Sequence, residues 1–178
     1  MNRLNGKVAI VTGAGSGMGK SIALLFAEEG AQVIAADIHE ARLAALKEEA
    51  AAKPGKLHTV VTDVAIEADI ERMIHAATQT FGTLDILVNN AGIMDNFAPV
   101  GDLDNAMWEK VMRVNVDGPF KAMRSALKLF LAKGSGTIIN IASIGGLMGA
   151  RAGAAYTASK HALIGLTRNT GYLYSKSG

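Results

Sequence analysis

Short apolar runs alternate with amphipathic stretches along the whole chain. Runs such as Val8-Ala9-Ile10-Val11, Val33-Ile34-Ala35-Ala36 and Thr137-Ile138-Ile139-Asn140-Ile141-Ala142 are too short for core helices and rich in β-branched residues, so they read as buried strands. The pattern predicts strands near 7–12, 32–36, 57–61, 84–88 and 136–142, and helices near 17–29, 40–52, 66–80, 103–113, 118–133 and 155–175. Pro54-Gly55, Gly82-Thr83 and Gly134-Ser135-Gly136 punctuate them as turns. Apolar strands separated by helices imply a parallel sheet covered on both faces. Right-handed crossovers then give an α/β, doubly wound parallel sheet of order 3-2-1-4-5, with its crevice between strands one and four. Phe120, Met123, Leu127, Phe130 and Leu131 recur at helical spacing, as expected of a stripe buried on the sheet, and Trp108 reads as core.

The first strand breaks into Thr12-Gly13-Ala14-Gly15-Ser16-Gly17-Met18-Gly19 before a helix begins. Strand, glycine turn and helix N-terminus form an anion site, because free backbone amides and the helix dipole favour a phosphate there. Gly13, Ser16, Gly17, Met18 and Gly19 are its candidate contacts. The spacing is T-G-x-x-x-G-x-G rather than the strict G-x-G-x-x-G, since Met18 stands where the third glycine falls. The same stretch also reads A-G-S-G-M-G-K-S, a phosphate loop with alanine at its first position, in which Lys20 and Ser21 hold phosphate and magnesium. Asp37 fits both readings. It ends an apolar strand, as a metal-supporting aspartate does, and it lies about twenty residues past the turn, where a dinucleotide site places a carboxylate for a ribose.

Tyr156 and Lys160 stand four apart on a predicted helix, which puts them on one face. A cation beside a phenol favours the phenolate, so the pair is a candidate proton donor. Ser143 lies just beyond the last predicted strand, where ligands bind in open α/β sheets.

Composition narrows the alternatives. A chain of 178 residues, 49% hydrophobic, suggests one domain spanning 1–178 with a sizeable core. With 18 basic and 16 acidic residues, its net charge of +2 makes no electrostatic case for nucleic acid or a membrane surface. Cysteine is absent, which excludes disulfides and thiolate chemistry. His39, His58, His75 and His161 have no paired ligand spacing, so no metal is expected, and neither Ser16 nor Ser143 sits in the G-x-S-x-G elbow of a hydrolase. With no signal-peptide pattern and no apolar run of membrane length, a soluble cytoplasmic protein is expected.

Taken together, Thr12-Gly13-x-x-x-Gly17-x-Gly19, Asp63-Val64, Asn89-Asn90-Ala91-Gly92, Asn115, Ser143 and Tyr156-x-x-x-Lys160 resemble the short-chain dehydrogenase/reductase family over nearly the whole chain. The phosphate-loop reading explains neither Asn115 nor the Ser143, Tyr156 and Lys160 set. The resemblance implies a Rossmann-like fold and an oxidoreductase that moves a hydride between a nicotinamide cofactor and a secondary alcohol or ketone. It implies Tyr156 as general acid or base and Ser143 as a hydrogen-bond partner of the same substrate oxygen. Lys160 would lie beside the tyrosine and bond the nicotinamide ribose, and Asn115 would position a water leading from Lys160 to solvent. Asp63 and Val64 would line the adenine pocket, with Asp63 also capping the following helix, while Asn90, Ala91 and Gly92 pass close to the cofactor. Asn89 reads as a bond between neighbouring strands. Asp37 favours NAD, because its carboxylate accepts from a free ribose hydroxyl and repels a 2′-phosphate; NADP is disfavoured, although His39 and Arg42 stand nearby. Met94 and Met148 are candidate substrate contacts, as is Trp108 if it is not in the core.

Relatives of about 250 residues form one doubly wound sheet, so a chain ending at Gly178 is expected to lack the last strands and to leave strand 136–142 at an edge. An inactive fragment that only binds cofactor or assembles therefore stands as the alternative function. In the resembled family the helices at 118–133 and 155–175 build the main dimer interface. Small residues Ala122, Ser125 and Ala126 with Leu129, and Ala158, Ala162 and Gly165, suggest a homodimer through them, with a tetramer disfavoured.

Overall fold

Five parallel strands lie side by side in the order β3-β2-β1-β4-β5 in the computed structural model, which describes residues 2–177. The elements are β1 (Val8–Thr12), α1 (Gly17–Glu28), β2 (Gln32–Asp37), α2 (Glu40–Ala50), β3 (Lys56–Val61), α3 (Glu67–Phe81), β4 (Ile86–Asn89), α4 (Asn105–Met112), a π turn (Arg113–Asp117), α5 (Gly118–Lys133), β5 (Thr137–Asn140), a 3₁₀ turn (Ile144–Gly146) and α6 (Ala154–Tyr174). Predicted order and element types agree with these, with boundaries displaced by at most two residues.

All five residues of β1 are buried, and their alternation builds two cores. Val8 and Ile10 face one side, with Ile34, Leu87, and the Ile70, Met73, Ala122, Ala126 and Phe130 side chains of α3 and α5. Ala9 and Val11 face the other, with Val33, Val88, and Ala23, Ala27, Leu43 and Leu46 of α1 and α2. A strand buried on both faces needs apolar residues at every position, which is why β1 reads as a continuous run rather than an alternating one. Each large core side chain contributes about 1.5–3 kcal/mol by burial.

Several expectations fail here. Helices α4 and α5 are not separate: the chain stays helical through the π turn, where the Gly118 amide donates to the Arg113 carbonyl five residues back. Pro119 has no amide to give and would break an ordinary helix interior, but it sits at the start of α5, where the widened turn accommodates it. The stripe of α5 is also narrower than its sequence suggests. Met123 and Phe130 are buried, but Phe120 and Leu131 are 43% and 45% exposed, and Ala122 and Ala126 occupy the core instead. Those two alanines therefore cannot serve a contact between copies. Trp108, expected in the core, is 41% exposed.

Among the described residues, no helix is long and apolar enough to cross a membrane. Among the described residues, strand β5 pairs with β4 alone, from Ile86 opposite Thr137 to Asn89 opposite Asn140. The two asparagines join across the ladder, Asn89 Nδ2 donating to Asn140 Oδ1 at 2.8 Å, which accounts for Asn89 as a strand-to-strand tie.

Candidate active site

The C-terminal ends of β1, β2 and β4 open onto a cleft of about 900 Å³. Its floor is the glycine turn. Gly13 has a φ of +65°, a conformation L side chains adopt only with strain, and a methyl at Gly19 would overlap the Gly13 carbonyl oxygen. The helix behind the turn starts without an internal acceptor: Ser16 makes no side-chain cap bond and the first turn of α1 holds no acidic residue. Its leading amides are thus free to bind an anion.

Hydrogen bonds fasten this turn to the end of β4. The buried Thr12 Oγ1 accepts from the Asn90 amide at 3.0 Å and the Ala91 amide at 3.1 Å, while Asn90 Nδ2 donates to the carbonyls of Thr12 at 2.9 Å and Gly13 at 3.3 Å. Asp37, at the end of β2, accepts from the Gly15 amide at 2.8 Å and the His39 amide at 2.9 Å. Each carboxylate oxygen keeps a lone pair for a further donor. Asp63 accepts from the Ala65 amide at 2.9 Å, closing a tight turn before α3 rather than capping the helix, whose cap position is Ile66.

Gly13, Ser16, Met18, Asp37, Asp63, Val64, Asn90, Ala91 and Gly92 line the cleft. Gly17 and Gly19 shape its turn from outside the lining. The phosphate-loop alternative loses its lysine: Lys20 pairs with Glu49 of α2 at 2.7 Å, and the Ser21 hydroxyl donates back to the Gly17 carbonyl.

The reactive side chains gather past β5. Ser143 starts the 3₁₀ turn, its Oγ accepting from the Gly145 amide at 3.1 Å. A point one methyl out from Gly145 lies 3.5 Å from Ser143 Oγ and 3.6 Å from Tyr156 Cε1, so the two side chains converge there. Lys160 is 4% exposed; its Nζ donates to the Ile141 carbonyl at 2.8 Å and lies 5.5 Å from the centre of the Tyr156 ring. Burial pushes the Lys160 ammonium below the ordinary lysine range. Gly92 lies beside this pair: a methyl there would stand 3.3 Å from Asn115 Oδ1 and in ordinary contact with Lys160 Nζ at 3.6 Å.

Asn115 is fully buried on the π turn. Its amide spans Ile93, accepting from the backbone N–H and donating to the carbonyl, each at 2.9 Å, and Nδ2 also reaches Ser159 Oγ at 3.1 Å. Ser159 in turn donates to the Tyr156 carbonyl at 2.7 Å. The Asn115 side chain is therefore engaged in a tether from Ile93 to α6.

A short chain dehydrogenase family model matches residues 7–178. The chain belongs to that family. It is 48% identical over 176 residues to 3beta-hydroxysteroid dehydrogenase 2 of Eggerthella lenta, covering 98% of this chain and 68% of that one. Cyclohexanol dehydrogenase of an Acinetobacter species is 37% identical over 177 residues, covering 99% and 70%. The crystal structure of NAD+-bound xylitol dehydrogenase superposes with a TM-score of 0.94 at 32% identity, covering 99% of this chain and 68% of that one. The family and these relatives support an oxidoreductase that transfers hydride on alcohol or ketone groups.

Sequence reasoning missed three contributors. Thr12 and Ser159 carry short hydrogen-bonding side chains whose use depends on partners 78 and 44 residues away. Asp95 is 1% exposed, and nothing in its local sequence points to the start of α6, 61 residues on. The far wall of the cleft, Ala106, Glu109, Lys110 and Arg113, was also missed, although their three- and four-residue spacing puts them on one helical face.

Proposed function

We propose that this chain carries the cofactor-binding and proton-transfer machinery of an NAD-preferring oxidoreductase acting between a cyclic secondary alcohol and its ketone. The observation that carries this reading is the convergence of Ser143 and Tyr156 on one point, with buried Lys160 behind the phenol and the cleft-lining Gly92 beside it. A bound nicotinamide cofactor supplies or accepts the hydride there.

The chain's own residues do the rest. Leading amides of α1 and the glycine turn hold the pyrophosphate, and Asp37 accepts from the adenosine ribose hydroxyl. Lys160 is a donor to the nicotinamide ribose and favours the phenolate of Tyr156. In the reducing direction Tyr156 gives its proton to the carbonyl oxygen as negative charge develops on it, and Ser143 donates a hydrogen bond to the same oxygen. In the oxidising direction the phenolate takes the proton back.

Exposed apolar side chains rim the Tyr156 side of the site, with Ile144 at 56%, Leu147 at 63% and Met148 at 52%. They favour a substrate with an apolar body, in keeping with relatives named for a hydroxysteroid and cyclohexanol. NAD is favoured over NADP because the Asp37 carboxylate repels a 2′-phosphate, although Arg42, Lys110 and Arg113 also line the cleft.

The same open rim favours a second reading, in which the chain binds cofactor without turnover of its own. Fluorescence titration with NADH and NADPH, followed by assay against a 3-ketosteroid, cyclohexanone and a 3-oxoacyl thioester, tests both. NADH binding with reduction of a cyclic ketone is expected. Binding without reduction of any substrate would leave the second reading, and magnesium-dependent ATP binding without NADH would overturn both.

A further inference from the structure

Helix α6 begins at Gly153, which has no side chain with which to cap it, and the missing acceptor comes from another part of the chain. Helix-starting amides ordinarily find an acceptor on the residue just before the helix. Here the amide of Tyr156, at the third helical position, donates at 2.9 Å to Asp95 Oδ2. Asp95 lies 61 residues upstream, on the loop that follows β4.

Asp95 and Gly153 fit only each other. A methyl at Gly153 would overlap the Asp95 carboxylate, yet Gly153 has φ −74° and ψ 178°, a conformation open to any residue. The glycine is therefore required by the carboxylate and not by the backbone. Asp95 Oδ1 is buried with no hydrogen-bond partner among the described residues, a position tolerable where helix amides and the helix dipole offset the negative charge.

The loop is held in place at some cost. Asn96 and Phe97 both adopt the left-handed region, with φ of 54° and 60°. The turn is closed by the Ala98 amide donating to the Asp95 carbonyl at 3.1 Å and docked by the Ala154 amide donating to the Ala98 carbonyl at 2.9 Å. Strain in two consecutive non-glycine residues survives only where surrounding contacts over-determine it.

We propose that Asp95 is a positioning residue for Tyr156: by capping α6 from the β4 loop, its carboxylate fixes the first turn of the helix, and with it the phenol, relative to Gly92 three residues away. The inference rests on the oxidoreductase reading of the site. It makes one segment responsible for both cofactor approach and acid placement, with the Asn115–Ser159 tether as its second fastening to α6. Asp95 does not line the cofactor cleft, so its removal separates these roles.

The test compares Asp95→Ala, Asp95→Asn and Gly153→Ala in the intact protein, by kcat, KM, NADH affinity and hydrogen exchange at the Tyr156 amide. Asp95→Ala is expected to lose that amide's protection and to lower kcat on the order of 10²-fold, as misplacement of a reacting group does, with NADH affinity changed no more than about twofold. Asp95→Asn keeps an oxygen acceptor and should recover most of the rate. Gly153→Ala, whose backbone suits alanine, should reproduce Asp95→Ala, and the double variant should be no worse than Asp95→Ala alone. Should Asp95→Ala fail to fold, Gly153→Ala carries the comparison. Lost protection with unchanged kcat would reduce Asp95 to a structural cap and overturn the proposal, as would equal losses in kcat and NADH affinity. A wild-type protein that binds NADH but turns over no alcohol or ketone would take down the underlying reading and this inference with it; a wild type that turns over beside an unaffected Asp95→Ala sinks this inference alone.

Discussion

Lys160 lies one helical turn beyond Tyr156 on α6, its ammonium 5.5 Å from the centre of the tyrosine ring and bonded at 2.8 Å to the Ile141 carbonyl just past β5. The pair thus spans two elements: the helix sets its spacing, and the strand end fixes where the cation points. Burial lowers the Lys160 pKa and so makes its charge costly, a cost that residues without a task seldom carry.

Tyr156→Phe removes the proton donor and leaves the cleft lining unchanged. Ketone reduction should fall by about 10²–10⁴-fold, with NADH affinity nearly intact. Lys160→Ala should lower both. Steady-state rates beside a fluorescence titration separate the two, and an active Tyr156→Phe variant would show that another group gives the proton.

Asp37 gives the cofactor prediction. NADH should bind more tightly than NADPH, and Asp37→Ala should narrow the gap, because the carboxylate that repels a 2′-phosphate is gone while Arg42 remains. Equal affinities in the unmodified protein would sink the assignment. Removing Lys20, already paired with Glu49, should leave NADH binding as it was.

Asp85 supplies a test of acid stability. Burial alone would raise its carboxyl, but hydrogen bonds from Lys133 and the Val8 amide, with the Lys133 and Lys7 charges, outweigh it and hold the group below the ordinary aspartate range. A carboxyl lowered by folding stabilises the protein above its unfolded value, and that contribution is lost as pH falls through the folded value. Asp85→Asn should cost about 1–3 kcal/mol at neutral pH, and the deficit should shrink toward zero in acid. Urea midpoints measured against pH would show it, and a deficit independent of pH would contradict the ionic account.

We propose that the chain forms a homodimer through α5 and α6. With Ala122 and Ala126 in the core, the outward residues are half-buried Ser125, Leu129, Ala158 and Ala162, exposed Gly165, and the exposed Phe120 and Tyr172. Sedimentation should give twice the 18.5 kDa chain mass, and Gly165→Glu should shift it toward monomer. A well-folded monomer at micromolar concentration would refute the interface.

The sheet was legible because strands buried on both faces leave continuous apolar runs and because glycine turns punctuate them. The cleft was legible where chemistry demands a residue type at a fixed spacing, as for Gly13, Asp37 and the Tyr156 and Lys160 pair. What escaped depends on contacts across long stretches of chain. Asp95 stands alone among mostly apolar loop residues, and only folding brings it under the start of α6. Phe120 and Ala122 exchanged their expected places because spacing defines a stripe but not its width, and the tighter packing of α5 on the sheet selected the smaller side chains.

The π turn at Arg113–Asp117 has a consequence for how this chain can vary. In an unbroken helix each residue advances by about 100° around the axis, so the direction of every later side chain is fixed by the first. One wide turn inserts an additional residue into that count and resets the phase. Upstream, Ala106, Glu109 and Lys110 look into the cleft; downstream, Ala122, Ala126 and Phe130 look into the sheet. A deletion within 113–117 would rotate one of these faces against the other, so, apart from the buried Asn115 and the cleft-lining Arg113, this segment should accept substitutions more readily than changes in length.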